Sequence, residues 1–291
     1  MASTERILVL GAGGMCGHVT AIAAMRRYES WATVRQDLPP QLAHYADRVV
    51  TGVDVLDRPS LDETLRRTRP TIVINCVGIV KQRHDIDPTT MRQINTAHPH
   101  HLASRCDDIG ARLVHLSTDC VFSGSRGDRP HGYAESDTAD PNDEYGRTKL
   151  AGEINTASHI TIRTSMIGPE LDRASGLFEW FLGAPGPIHG FTNASFTGLA
   201  TPTLAELILD IATTSSLTGL FHVPAPRISK NDLLHLLRDR FRPEVDIIPT
   251  AEPHLDRCLD GRRLATALNL TTPSWEEMVD LLARLHHKDT G

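Results

Sequence analysis

Residues 6–17 read RILVLGAGGMCG. A short, continuously apolar run stops at a cluster of glycines, and residues 14–27 then take helical spacing and end in Arg26 and Arg27, which suit a helix C-terminus. A buried strand that turns directly into a helix needs neighbours of the same kind to cover both its faces, and the chain supplies them. A strand is expected at 32–36. A helix is expected at 60–68, with Ser60 capping its start and Pro70 after its end. The strand TIVINCVG is closed by Gly78; a long helix over 88–108 and the strand ARLVHLST follow. Strands that are apolar throughout, rather than on alternate residues, belong to a parallel sheet covered on both faces.

The second half opens with a helix carrying Tyr145 and Lys149 and the strand HITIRTS. After Gly168 the pattern loosens. Residues 183–203 are rich in Gly, Pro, Thr and Asn and are expected to form substrate-side loops. Amphipathic helices at PTLAELILDIATTS, 230–241 and 275–287 are expected to build a small C-terminal α/β lobe that leaves a cleft against the sheet. The domains expected are therefore 1–165 and 166–291, with chain crossings back to the first.

A chain of 291 residues with 40% apolar composition can bury one such core. Its net charge of −6 gives no electrostatic case for nucleic acid or an anionic membrane surface. No apolar run approaches the roughly 18 residues of a membrane span. The start passes straight into a strand, so a secretory leader is not expected and a cytoplasmic location is. Five scattered cysteines without a Cys-x-x-Cys pair indicate neither a disulfide framework nor zinc. Among fifteen histidines, His98, His100 and His101 cluster, but without carboxylate spacing; surface or capping roles are expected there, and no metal.

The turn has the form Gly11-x-x-Gly14-x-x-Gly17 between strand and helix. Such a turn brings backbone close to a pyrophosphate, and the N–H groups of Met15, Cys16 and Gly17 at the helix start would face it. Selectivity is read just after the second strand, where Arg35 offers a donor fork suited to a 2′-phosphate. NADPH is therefore expected, with NADH the alternative because Asp37 follows closely. Asp54 and Val55 precede the next helix; Asp54 is placed either to hold an adenine amino group or to cap its own turn. Asn75, Val77 and Gly78 end the next strand, on the side of a parallel sheet that faces ligand.

Tyr145 and Lys149 stand at i and i+4 and share a helical face. A phenol with a pKa of about 10 is a poor acid or base at neutral pH, and a nearby ammonium lowers that value. Thr118, closing its strand, can place a hydroxyl beside a substrate carbonyl. Together the three suit proton delivery to an alkoxide while hydride arrives from a nicotinamide.

GAGGMCG, NCVG, VHLSTDCVFSG, YGRTKLAGE, IRTS, GLFHV and DGRRLATAL, taken together, resemble the extended short-chain dehydrogenase/reductases, and among them the dTDP-4-dehydrorhamnose reductase group. The resemblance covers nearly the full length. It implies a Rossmann-type, doubly wound domain with a sugar-nucleotide lobe and reduction of a 4-keto-6-deoxy sugar on a nucleoside diphosphate (dTDP-, UDP- or GDP-linked). It makes Tyr145 the general acid, Lys149 its tuner and ribose anchor, and Thr118 the carbonyl-orienting hydroxyl; a homodimer follows by analogy only. Where the family commonly has an aromatic residue this chain has Cys120, and where it often has Trp this chain has Met166. Both positions, with Asp119, should lie near the sugar, so the pocket is expected to be reshaped. The segment GIVKQRHDID departs from the family too; it is read as a solvated loop or as the place where Lys81 or His84 touches substrate.

Two alternatives arise from the same resemblance. GDP-fucose synthases use a Cys at the corresponding place, with a His after a Gly-Pro, to epimerise; here Glu170 follows Gly168-Pro169, so a Cys120–Glu170 pair would be the counterpart. The regulatory subunit of methionine adenosyltransferase has the fold without evident chemistry, which would make this chain a cofactor-binding partner. Related dehydratases carry Asp-Glu after the Thr, whereas Thr118-Asp119-Cys120 lacks that Glu, which argues against 4,6-dehydration.

Overall fold

The computed structural model describes residues 5–83, 85–125, 129–171 and 175–290, with side chains to His286. His84, named above with Lys81, lies outside the described residues. The first half runs β1 Arg6–Leu10, α1 Met15–Arg27, β2 Glu29–Thr33, β3 Val49–Val50, α2 Arg58–Thr68, β4 Ile72–Asn75, α3 Pro88–Arg92, α4 His98–Ile109 and β5 Arg112–Thr118. It continues with α5 Glu144–Ala151, β6 Ile160–Thr164, β7 Met166–Ile167, α6 Leu177–Gly183, β8 Ile188–Phe191, β9 Ala194–Phe196, β10 Leu199–Ala200 and α7 Thr201–Thr213. The rest is β11 Gly219–His222, β12 Ile228–Ser229, α8 Lys230–Phe241, β13 Ile247–Thr250, β14 Leu255–Asp256, α9 Arg262–Leu268 and α10 Trp275–Thr290.

Two compact units result. The first contains Met1–Thr118, Asp143–Ile162 and Leu204–Leu220; the second contains Asp119–Asn142, Arg163–Thr203 and Phe221–Gly291. The main sheet has the order β11-β6-β5-β4-β1-β2-β3, the Rossmann-type doubly wound arrangement, and β6 and β11 lead the chain out of the first unit. Its pairings β1–β2, β1–β4, β2–β3 and β4–β5 are parallel, with Ile7 opposite both Ser30 and Ile72. Leu8, Leu10, Leu61, Leu65, Val73, Leu102 and Leu113 form a common apolar core between sheet and helices. Order reverses at β1 and β4, so the C-terminal ends of those two strands flank the crevice where ligands bind in this architecture.

The second unit is α/β on a smaller scale. β8 pairs with β13 and β7 with β10, both parallel, and β9 lies between β12 and β14. Phe178, Phe181, Leu233, Leu237, Met278 and Leu282 are buried among its helices, and Phe178 meets Phe241 edge-on at 5.0 Å between centroids.

Several elements differ from expectation. The second strand spans 29–33 rather than 32–36, and Val34 N–H just past its end still bonds Val50 O of β3 at 3.0 Å. Helix α2 starts at Arg58 with Asp57 at the N-cap and Pro59 in its first turn, so Ser60 is inside it and caps nothing. The helix expected over 88–108 is three pieces, a π-helical turn at Gln93–Ala97 joining α3 to α4. Residues 183–203 are not merely loops: β8, β9 and β10 lie in them. Helix α7 belongs, from Leu204 on, to the first unit. Its Leu204, Ile208 and Leu209 are buried, and Arg27 of α1 holds it through Glu206 and through Asp210 at 2.9 Å. His98 is 3% exposed, a core residue and not a surface one; burial lowers its pKa to about 4.

Candidate active site

At the C-terminal end of β1 the backbone turns with Gly11 at φ +84°, a conformation that leaves no room for a side chain, since a Cβ would lie 2.9 Å from Val77 Cγ2. A Cβ on Gly17 would run into the Gly11 carbonyl oxygen, so only glycine lets α1 pack on the turn. At Gly13 a Cβ would meet nothing within 4 Å, leaving the turn open on that side. The first intrahelical bond of α1 runs from His18 N to Gly14 O at 3.1 Å. The amides of Met15, Cys16 and Gly17 precede it and are available to an anion. Ala12 N–H bonds Thr33 O at 2.9 Å, tying the end of β2 to the turn.

Arg35 and Asp37 are both exposed just past that strand end. Val53 N–H bonds Val34 O at 3.1 Å and brings Asp54 and Val55 alongside. Asp54 Oδ1 accepts from Leu56 N–H at 2.9 Å, the turn-capping role, and the residue keeps partial exposure. Asn75 is fully buried: its amide donates to His115 Nδ1 at 3.1 Å and its carbonyl accepts from Val77 N–H at 3.1 Å. It shapes the strand end from beneath and offers no surface to a ligand. Val77 is half-buried and Gly78 exposed.

Sequence reasoning missed Asn95. The π-helical turn carries it, buried, under the loop after β4. There its Oδ1 accepts from Ile79 N–H at 2.8 Å, and its Nδ2 donates to Ile79 O at 3.0 Å and Thr148 Oγ1 at 3.2 Å. One side chain thereby clamps the Gly78 loop to α5. No local pattern marks it, because its partners come from 16 and 53 positions away.

Helix α5 is capped by Asp143, which accepts from Gly146 N–H at 2.7 Å and pairs with Lys81 at 2.8 Å. Lys81 is thus fixed at the start of α5. Tyr145 is half-buried and packs on the cluster of Ile79, Met91 and Ile94. Lys149, 5% exposed, donates to Leu116 O at 2.5 Å, two residues before Thr118 at the end of β5. Its Nζ also stands 3.7 Å from where a Cβ on Gly78 would be. Burial lowers the Lys149 pKa to about 8, opposed by Glu153 and Cys76. Ser117 donates to Glu153 Oε1 at 2.7 Å, a second tie between β5 and the segment after α5. Thr118 is 5% exposed. The first unit therefore gathers the glycine turn, the Gly78 loop, Lys149 and the end of β5 at one edge of its sheet.

In the second unit, Arg257 donates to Cys120 Sγ at 3.2 Å and to Asn142 Oδ1 at 3.1 Å. Lys230, its ammonium 3.6 Å over the Phe196 ring, has its pKa lowered by burial to about 8, with Asp119 and Cys120 opposing. Met166, on β7, is half-buried and paired in register with Leu199. Glu170 accepts from Ser175 N–H at 2.7 Å and Gly176 N–H at 3.0 Å, ordering the start of α6. Cys120 and Glu170 are thus engaged with different partners.

This order of parallel strands, this glycine turn and a Tyr-x-x-x-Lys helix beside β5 define an extended short-chain dehydrogenase/reductase. The family model for the RmlD substrate binding domain matches residues 5–172, and the chain belongs to that family. Over 157 residues it is 33% identical to the dTDP-4-dehydrorhamnose reductase of Mycobacterium tuberculosis, 52% of this chain and 45% of that protein. Over 153 residues it is 37% identical to the dTDP-4-keto-6-deoxy-D-glucose reductase of Streptomyces niveus, 52% of this chain and 46% of that one. The matching stretch spans less than half the length of these relatives. Among solved structures, a dTDP-4-dehydrorhamnose reductase from Bacillus anthracis in complex with NADP superposes over 97% of this chain and 98% of its own, with a TM-score of 0.76 at 22% identity. A UDP-glucose 4-epimerase from Thermotoga maritima, with UDP-glucose, reaches 0.79 at 16% identity, covering 98% of this chain and 100% of its own. These two share the fold.

Proposed function

We propose that this chain reduces the ketone of a nucleoside-diphosphate-linked 4-keto-6-deoxy sugar with NADPH. The observation that carries the reading is Lys149, a buried ammonium on the same helical face as Tyr145, anchored to β5 next to Thr118 and adjoining the Gly78 loop. A buried cation has a desolvation cost, and a role in catalysis explains why the fold retains it. The residues around it fit a dinucleotide: Gly11 and Gly17 allow close backbone approach, the first amides of α1 suit a diphosphate, and exposed Arg35 suits a 2′-phosphate. NADPH, when bound, supplies hydride. Thr118 orients the substrate carbonyl by donating to its oxygen. Tyr145 gives its phenolic proton to that oxygen as charge develops there, and Lys149 stabilises the phenolate left behind. The names of the relatives support the sugar-nucleotide substrate.

Reduction coupled to epimerisation draws on a separate observation. Arg257 donates to Cys120 Sγ at 3.2 Å, and in that reading this sulfur exchanges a proton next to the ketone. Solvent deuterium at the sugar's C3 or C5 is the outcome that reading requires. Replacing Tyr145 by Phe tests the reductase: NADPH oxidation with a dTDP-4-keto-6-deoxyhexose should fall by about 10²–10⁴-fold while NADPH still binds. Undiminished turnover would remove Tyr145 as the acid.

A further inference from the structure

After Thr118, the last residue of β5, the chain leaves on an excursion through residues 119–142 and returns at Asp143, the N-cap of α5. Bonds across its base hold it closed. Asp140 N–H donates to Val121 O at 3.0 Å, and the Asp140 carboxylate accepts from Ser123 N–H at 3.0 Å and Ser123 Oγ at 2.7 Å. Closer still to both ends is Arg257, the residue after β14. One arm of its guanidinium donates to Cys120 Sγ at 3.2 Å and the other to Asn142 Oδ1 at 3.1 Å. Its stem is seated on Gly124, where an added Cβ would lie 2.9 Å from Arg257 Cγ, and Asp256 N–H bonds Gly124 O at 3.2 Å. Cys120 belongs to a 3₁₀ turn, Asp119–Val121, that follows β5 directly, and Asn142 immediately precedes the cap of α5. A bridge from Cys120 to Asn142 is therefore a bridge from the end of β5 to the start of α5.

We propose that Arg257 is a positioning residue for the reduction: by bridging Cys120 and Asn142 it fixes the spacing between Thr118 and Tyr145. Its effect on turnover rests on the roles given above to those two hydroxyls; the bridge itself does not. In that reaction both hydroxyls act on one carbonyl oxygen, each at about 2.6–3.2 Å, so a change in their spacing leaves one of them out of reach. A guanidinium suits the task because its N–H groups diverge from a rigid plane and hold two acceptors in fixed directions, whereas the ammonium of a lysine is a single point. Stability alone is a poor reason for the arginine. Its Nε is buried with no hydrogen-bond partner among the described residues, a cost that an unbranched apolar side chain of similar length would not carry.

The test compares full-length wild type with Arg257→Met, Asn142→Ala and the double variant. It measures NADPH-dependent reduction of a dTDP-4-keto-6-deoxyhexose, urea stability, and amide hydrogen exchange by mass spectrometry. Arg257→Met keeps an apolar stem on Gly124 and should fold. Its kcat should fall by about 10–10²-fold with KM for either substrate little changed, the split expected when only transition-state geometry is lost. Amides of residues 117–122 and 141–146 should exchange faster while urea stability stays close to that of wild type. Asn142→Ala removes one arm of the bridge at an exposed position and should lower kcat in the same way; it carries the comparison should Arg257→Met fail to fold. The double variant should be no slower than Arg257→Met, because both substitutions open the same bridge. Undiminished kcat in Arg257→Met would overturn the proposal. So would a raised KM for the sugar nucleotide with kcat intact, which would make Arg257 a substrate contact, and so would a lost kcat with unchanged exchange. Faster exchange in the variants of a wild type that reduces no ketosugar would leave the bridge standing and remove the reductase reading instead.

Discussion

Lys149 should make the native state more stable as pH rises, and replacing it with Met should remove its share of that rise. Its pKa is lowered from the ordinary 10.5 to about 8, chiefly by burial. Between those values the unfolded chain carries a proton on this side chain and the folded chain does not. Stability therefore rises with pH there, at about 1.4 kcal/mol per pH unit. Below pH 8 both states are protonated and the full cost of burying the ammonium is present; above 10.5 it is gone. From pH 7 to pH 9.5 the difference between wild type and Lys149→Met should change by about 2 kcal/mol in favour of the wild type. The Met variant also loses the bond to Leu116 O, but that offset is constant wherever the lysine keeps its charge and does not produce the slope. Urea unfolding at the two pH values, compared between the two proteins, isolates this one group because Lys230 titrates in both. Stability curves that run parallel would mean the lysine is hydrated in solution and would undo the claim of a desolvated ammonium at the site. The same variant should retain almost no turnover, since the phenol of Tyr145 loses its neighbouring cation.

Three further outcomes follow from the same geometry. Gly17→Ala should lower NADPH affinity by more than tenfold in a fluorescence titration, because the added methyl meets the Gly11 carbonyl and pushes α1 off the turn. Asn95→Ala strands the Ile79 backbone groups and should destabilise the protein by about 1–3 kcal/mol in urea, with a raised KM for NADPH and kcat less affected. Arg35→Glu should shift the ratio of kcat/KM for NADPH over NADH by at least tenfold towards NADH, by repelling a 2′-phosphate; an unchanged ratio would place the phosphate elsewhere.

What could be read from the sequence was what lies close together in the chain. The glycine turn, the apolar strands and the Tyr145–Lys149 pair each occupy a few consecutive residues, and each carries its own geometric consequence: a positive φ at Gly11, burial of β1, a shared helix face. Helix α8 matches the predicted 230–241 because Ser229 caps it, accepting from Asp232 N–H, and its apolar spacing is regular. Helix α7 was equally legible as a helix but not as to its place. Nothing in residues 201–213 says that Arg27 will hold them from α1, so the helix looked like part of the lobe.

The residues that were not legible share a physical reason. Asn95, His98 and His115 are polar side chains with almost no exposure, and apolar spacing treats a buried polar residue as an interruption. Asn95 and His115 take their partners from far along the chain, Ile79 and Thr148 for Asn95 and Asn75 for His115, while among the described residues neither ring nitrogen of His98 has a hydrogen-bond partner. The neighbourhood of the glycine turn makes the same point: β1 and β4 pair in register through Leu10 and Asn75, which sets Gly11 against Cys76 and Val77, and no local pattern in either segment says which strands are neighbours.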